Sequence, residues 1–337
     1  MTPTLPRHYR AMALTERGDA TLRAVELALA PPGPGELLLR VSRCGVCRTD
    51  LHVADGDLPL VQWPRVPGHE VVGSVVAAGS GCRRFAPGSR VGVPWLHDSC
   101  GHCRWCTRER ENLCPDARFT GWTVDGGYAE YLRADERFCF ALPERYDDEQ
   151  AAPLLCAGLI GWRALAMAGD ARTLGLYGFG AAGHLIAQVA LQQGRRVYAF
   201  TRPGDQPAQA LDRSLGVQWA GASDESPPSP IDGALLFAPV GDLVPAALAH
   251  SEPGSTIVCA GIHMSDIPRM PYSLLWRERC VRSVANLTRR DGEEFFAWAA
   301  AHPLVCTTQS FALPEANEAL SRLRSGQLTG AAVLDCR

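Results

Sequence analysis

The 337-residue chain contains no lysine, and all 33 of its basic residues are arginine. Schiff-base catalysis and the lysine-dependent phosphate-binding loop are thereby excluded. A run of like charges is missing as well. The 33 basic and 36 acidic residues leave a net charge of −3, without the clustering that marks a nucleic-acid or membrane surface. Long apolar stretches are also absent. The longest, residues 151–162, stops at Arg163, short of the roughly 20 residues that cross a bilayer. The first ten residues lack the apolar centre of a secretory signal. Cysteine, by contrast, is abundant. Thirteen is an odd count, and several are spaced as metal ligands, not as a disulfide framework, so a reducing cytoplasm is expected.

A chain of this length predicts two domains, and 46% hydrophobic with 20% charged residues describes an ordinary globular composition. Residues 10–95 read as short strands, 37–41 and 71–77 among them, punctuated by Gly and Pro turns such as residues 31–35. From about residue 153 strands alternate with helices. A strand at 174–177, a helix at 181–193 closed by Gly194 and a strand at 196–200 form a βαβ unit. Such units imply a parallel, doubly wound sheet. Further strands are predicted at 233–238, 256–260 and 281–285, a surface loop at 226–230, then a helix at 315–324 and a strand at 331–334.

Residues 47–70 concentrate the chemistry. Cys47, His69 and Glu70 offer the side chains that zinc accepts, and a catalytic zinc takes three protein ligands and keeps one position open. Thr49 and His52 lie close by as proton carriers. Cys44 is a rival to Cys47, because residues 44–47 form a C-x-x-C pair. Asp50 is suited to orient a ligand histidine. Cys100, Cys103, Cys106 and Cys114 follow C-x2-C-x2-C-x7-C, a donor set for a closed, structural tetrahedron. An iron–sulfur cluster uses the same donors. Gly178, Gly180 and Gly183 complete G-x-G-x-x-G between the predicted strand and helix, the context in which that string binds a dinucleotide pyrophosphate. The second strand ends in Thr201 and Arg202, with no carboxylate for the two ribose hydroxyls. These two residues suit a 2′-phosphate, which favours NADP(H) over NAD(H).

Residues 68–82 fit G-H-E-x2-G-x5-G-x2-C. With the segment 45–52, the four-cysteine loop and Gly126-Gly127-Tyr128-Ala129-Glu130-Tyr131, they resemble zinc-containing alcohol dehydrogenases of the medium-chain dehydrogenase/reductase superfamily. The likeness covers nearly the whole chain. It implies an α/β chain with a GroES-like β-rich catalytic domain at 1–155 and a Rossmann cofactor domain at 156–302. The structural zinc loop at 100–114 falls in the first, and residues 303–337 return to it. It further implies Cys47, His69 and Cys156 as catalytic zinc ligands with Glu70 beside the metal. Read alone, Cys156 lies in an apolar segment where a packing cysteine is expected. By the same resemblance Arg48 reaches the cofactor pyrophosphate, while Trp95 and Trp122 line the substrate pocket. Leu58 stands where many relatives carry a tryptophan, leaving room for larger alcohols. Ala331 replaces an arginine that usually follows Gly330.

The implied activity is reversible oxidation of a primary or secondary alcohol to an aldehyde or ketone by NAD(P), with two zinc ions per chain. Thr49 and His52 would carry the hydroxyl proton to solvent. A physiological carbonyl reductase shares every residue of the site. A zinc-free quinone reductase or a zinc-binding interaction module accounts for fewer of them. Small alcohols and carbonyls are the expected partners, with no nucleic acid or membrane, in a homo-oligomer, dimer or tetramer.

Overall fold

The computed structural model describes residues 5–60, 62–328 and 330–337. It divides into two compact units, Met1–Cys156 with Asn286–Arg337, and Ala157–Ala285. Among the described residues no single helix is long and apolar enough to cross a membrane.

The first unit is built on a seven-stranded sheet. Its order is Thr308–Ala312, Ala331–Asp335, Glu36–Val46, Glu70–Ala78, Arg90–Val93 and Phe140–Ala141, with Tyr131–Asp135 also paired to Glu36–Val46. Only the Thr308–Ala312 and Ala331–Asp335 pair is parallel. Glu36–Val46 is the organising strand. Leu37, Leu39, Val41, Cys44 and Val46 are buried in one cluster with Val71, Val75, Val91 and Tyr128, and each such side chain contributes about 1.5–3 kcal/mol. A separate antiparallel pair, His8–Ala13 with Arg23–Ala28, packs Ala11 and Met12 into the same cluster.

The unit resumes at Asn286, whereas the return was expected at 303. The reason is packing by the helix Arg289–Ala301. Phe140 and Phe296 lie 5.7 Å apart, and the Tyr146 hydroxyl donates to Ala299 O at 3.1 Å. A Cβ at Gly292 would sit 2.2 Å from the Phe140 ring, so a glycine inside this helix is what lets it dock.

The second unit holds six parallel strands, ordered Trp219–Ala222, Arg196–Thr201, Thr173–Tyr177, Ile231–Leu236, Ser251–Cys259 and Cys280–Ser283. This is the doubly wound order in which ligands bind at the carboxyl ends of the central strands. Thr173–Tyr177 is buried along its whole length, as a central parallel strand must be. Tyr177 stacks on Phe200 at 4.1 Å, inside a cluster with Tyr198, Ile231 and Ile257.

Candidate active site

Cys47 is placed by helix capping. It stands at the N-cap of the helix Arg48–Asp55, where its Sγ accepts from Thr49 N at 3.4 Å and its own N–H donates to Asp50 Oδ2 at 2.9 Å. The reciprocal pair is a capping box, with a thiol in the usual place of a hydroxyl. Asp50 Oδ1 accepts from Gly68 N at 3.2 Å and lies 3.0 Å from His69 Nδ1. A carboxylate only accepts, so His69 carries its hydrogen on Nδ1 and turns Nε2 towards the thiols.

Nε2 of His69 lies 3.2 Å from Cys47 Sγ, and Cys47 Sγ lies 3.9 Å from Cys156 Sγ, 109 residues along the chain. Cys156 is delivered by the 3-10 turn Ala152–Leu155, whose Pro153 O receives the Cys156 N–H. The donor atoms of Cys47, His69, Glu70 and Cys156 all fall within 4.8 Å of one another. With Zn–S near 2.3 Å and Zn–N near 2.0 Å, a tetrahedral ion holds two sulfurs about 3.8 Å apart, and sulfur and nitrogen about 3.5 Å apart. The observed 3.9 and 3.2 Å lie within a few tenths of an ångström of these separations, so the donor set fits such an ion. Cys44 stays outside the group, buried beneath Gly68 and Gly127.

The electrostatics suit a cation. The hydrogen bond with Cys156 pulls the Cys47 thiol well below its usual range despite burial, and the same bond pushes Cys156 well above it. Burial, then the Cys47 charge, raise the Glu70 carboxyl. A Cβ on Gly45 would sit 1.9 Å from Glu70 Oε2, so the missing side chain is what admits this carboxyl.

Thr49 is buried, Arg48 is exposed at the helix start, and His52 Nδ1 lies 2.8 Å from Asp57 Oδ2. Trp95 approaches His69, with ring centroids 6.1 Å apart. Phe119 fills the wall between the two tryptophans, 5.0 Å from Trp95 and 5.2 Å from Trp122. Trp122 Nε1 donates to Pro59 O at 3.2 Å, tying that wall to the loop of Leu58, which packs on the core. Asp57 and Phe119 were not singled out from the sequence. The turn signal Asp55-Gly56-Asp57 was available for the first, and the aromatic spacing Trp95, Phe119, Trp122 carries no local signal for the second.

The second metal group is complete in one loop. Cys100 and Cys106 sulfurs are 3.9 Å apart, Cys103 and Cys106 3.6 Å, and Cys114 and Cys100 3.6 Å. These separations again match a tetrahedral thiolate site.

In the second unit Gly178 has φ +90°, and a Cβ there would meet Ala238 N at 2.6 Å. A Cβ on Gly183 would meet Gly178 O at 2.6 Å, whereas one on Gly180 would meet nothing within 4 Å. The first and third glycines thus serve the turn and the packing, and the second leaves space before the helix Ala181–Gln192 for a pyrophosphate. Thr201 departs from the expectation of a phosphate contact. Its hydroxyl points inward, donating to Gly221 O at 3.3 Å and accepting from Gln209 Nε2 at 3.2 Å. Strand alternation turns that side chain into the unit. The Arg202 side chain is 90% exposed and 3.4 Å from Asp205. Ala331 N donates to Thr307 O at 2.9 Å, in the strand that follows Gly330.

A family model describing the alcohol dehydrogenase GroES-like domain matches residues 33–144. Over 321 residues the chain is 46% identical to a "probable alcohol dehydrogenase" of Mycobacterium tuberculosis, covering 93% of this chain and 92% of that protein. Among solved structures it is similar to a cinnamyl alcohol dehydrogenase of Sorghum bicolor, with TM-score 0.88, 26% identity and 98% of both chains covered. It is also similar to a cobalt- and zinc-bound thermostable alcohol dehydrogenase of Pyrobaculum aerophilum, with TM-score 0.87 and 27% identity. That match covers 97% of this chain and 99% of the other.

Proposed function

The chain belongs to the alcohol dehydrogenase family, and from that premise we propose reversible hydride transfer between a primary or secondary alcohol and a nicotinamide cofactor, assisted by zinc. The observation that carries the reading is the convergence of Cys47, His69, Glu70 and Cys156, with His69 oriented by Asp50. It speaks against a metal-free quinone reductase, which has no use for these donors. Carbonyl reduction uses the same residues in reverse.

Cys47, His69 and Cys156 would hold the catalytic zinc with Glu70 beside it, and Cys100, Cys103, Cys106 and Cys114 a structural one. Bound zinc supplies a Lewis acid that lowers the pKa of the alcohol, and the nicotinamide supplies the hydride acceptor. Thr49 would accept the hydroxyl proton as its own hydroxyl hydrogen passes onward, so that its side chain stays neutral. His52, three residues on and so on the same helix face, hands it to solvent. Arg48, at the exposed start of that helix, offers its guanidinium to the cofactor pyrophosphate. Gly178, Gly180 and Gly183 shape the turn that receives it. A dimer or tetramer in a reducing cytoplasm completes the reading, since both donor sets need free thiols.

The test is cofactor reduction measured across an alcohol panel with NAD and NADP, beside a zinc count. Two zinc ions per chain and alcohol-dependent reduction are expected; a metal-free chain that turns over quinones instead would end this reading.

For the nucleotide, the support is the absence of a carboxylate at the end of Arg196–Thr201 and the exposed Arg202 guanidinium. The kcat/KM for NADP is expected to exceed that for NAD, and Arg202→Ala to lower the NADP value about tenfold, a typical loss for one exposed charge-assisted contact. A tenfold preference of the unaltered protein for NAD would overturn the assignment.

For the substrate, Leu58 beside the wall of Trp95, Phe119 and Trp122 supports a roomy, aromatic pocket. Benzylic or branched alcohols are expected to surpass ethanol in kcat/KM by about tenfold, the order one to two extra buried groups provide. Ethanol as the best substrate in the panel would contradict this.

A further inference from the structure

We propose that Asp57 is a positioning residue for proton transfer by His52, an inference that rests on the relay role assigned above. The helix Arg48–Asp55 ends at Gly56, whose φ of 83° reverses the chain. That reversal brings Asp57 back over the last turn, where its Oδ2 lies 2.8 Å from His52 Nδ1. Leu58 N donates to His52 O at 3.2 Å and closes the loop. Both flanks of the turn are tied down, Asp55 by Arg324 and Pro59 O by Trp122 Nε1.

An ionised carboxylate can only accept, so the hydrogen of the neutral His52 ring is placed on Nδ1. The lone pair is then on Nε2, which receives the proton, while the Nδ1–H bond to Asp57 persists. The resulting imidazolium faces a carboxylate, and one proton leaves to water to restore the neutral ring. Exposure supports this direction of travel. The His52 side chain is 20% exposed and that of Asp57 49%, so the pair leads from the buried Thr49 towards solvent. Without the carboxylate the ring loses the acceptor that places its hydrogen on Nδ1. The arrangement parallels the general one in which a carboxylate orients a catalytic imidazole.

The test uses the full-length, zinc-loaded enzyme with Asp57→Ala, Asp57→Glu and His52→Ala, and nitrogen-15 spectra of its histidines. Asp57→Ala is expected to lower kcat about tenfold with the alcohol KM within about twofold, and Asp57→Glu to recover most of the loss. The spectra are expected to show hydrogen on Nδ1 of neutral His52 in the unaltered protein and its shift to Nε2 in Asp57→Ala. His52→Ala slow with Asp57→Ala at full kcat, or an unchanged tautomer in Asp57→Ala, overturns the role of Asp57 alone. His52→Ala at full kcat overturns the relay reading, and the positioning role falls with it.

Discussion

Replacing His69 with alanine is expected to abolish alcohol oxidation, with kcat/KM reduced at least about a thousandfold and the zinc count reduced from two per chain to one. A thousandfold loss corresponds to about 4 kcal/mol of transition-state stabilisation, within the several kcal/mol that a Lewis acid acting directly on the reacting oxygen supplies. The structural basis is that, among the described residues, His69 is the one imidazole in this donor group. Nε2 of His69 is aimed at Cys47 Sγ by the Asp50 contact, and its ring is 1% exposed. Removing it leaves the Cys47 thiolate and the Asp50 carboxylate buried together without their shared partner, a costly arrangement in itself. Because that cost threatens folding, Asp50→Asn provides a second measurement. It removes the negative charge of the anchor and the acceptor facing Cys47 N while keeping the ligand, and is expected to weaken zinc affinity by about 10–100-fold with the chain still folded. More than a tenth of normal activity in His69→Ala with one zinc lost would sink the assignment of this site.

How much of this was legible beforehand depended on whether the signal was local. The four-cysteine loop and the glycine-rich turn carry their chemistry within 15 and six residues, so spacing alone reveals them. Rivalry between Cys44 and Cys47 is different in kind. It is resolved by the helix that starts at Arg48, because an N-cap side chain faces outward from the strand end while Cys44 faces the core. The C-x-x-D capping pattern was readable there, though its cap is a thiol. Cys156 has no local signal at all. Its partners are in another part of the sequence, and the surrounding Pro153, Leu154 and Leu155 describe a buried turn; only the likeness to a family singled it out. Thr201 shows the opposite failure. Its type and position suited a phosphate, but the hydroxyl is satisfied by Gln209 eight residues later, which no spacing rule anticipates. The helix Arg289–Ala301 is obscured by Gly292, an interior helix glycine that looks like a breaker until Phe140 is seen against it, even though its Thr288 and Asp291 capping box is plain.

Cys103→Ser is expected to remove the other zinc and to lower the thermal midpoint by at least about 5 °C, with the catalytic zinc retained. The loop 100–114 contains two short 3-10 turns and no longer element, so its own backbone supplies little of its order and the four thiolates with their metal are expected to supply much of it. Structural zinc in zinc-finger peptides contributes about 10–16 kcal/mol of apparent binding energy at neutral pH. Even a fraction of that, spread over a unit of this size, moves the midpoint by several degrees. The thiols are prepared unequally. A hydrogen bond from the Cys106 backbone lowers Cys103 to about 7, whereas burial pushes Cys114 up to about 12. Metal uptake at pH 7 must therefore displace the Cys114 proton, and affinity is expected to rise with pH. The loss propagates because the loop is not a free appendage. Glu111, 2% exposed, accepts from Arg289 N at 2.8 Å and from Arg289 Nε at 3.0 Å, at the first turn of the helix whose Phe296 packs on Phe140. Releasing the loop withdraws a buried carboxylate from that helix N-terminus, where it satisfies a backbone donor and complements the helix dipole. Hydrogen exchange should consequently rise in residues 289–301 as well as in 100–114. Exchange confined to the loop, with an unchanged midpoint, would show that the four cysteines hold only themselves.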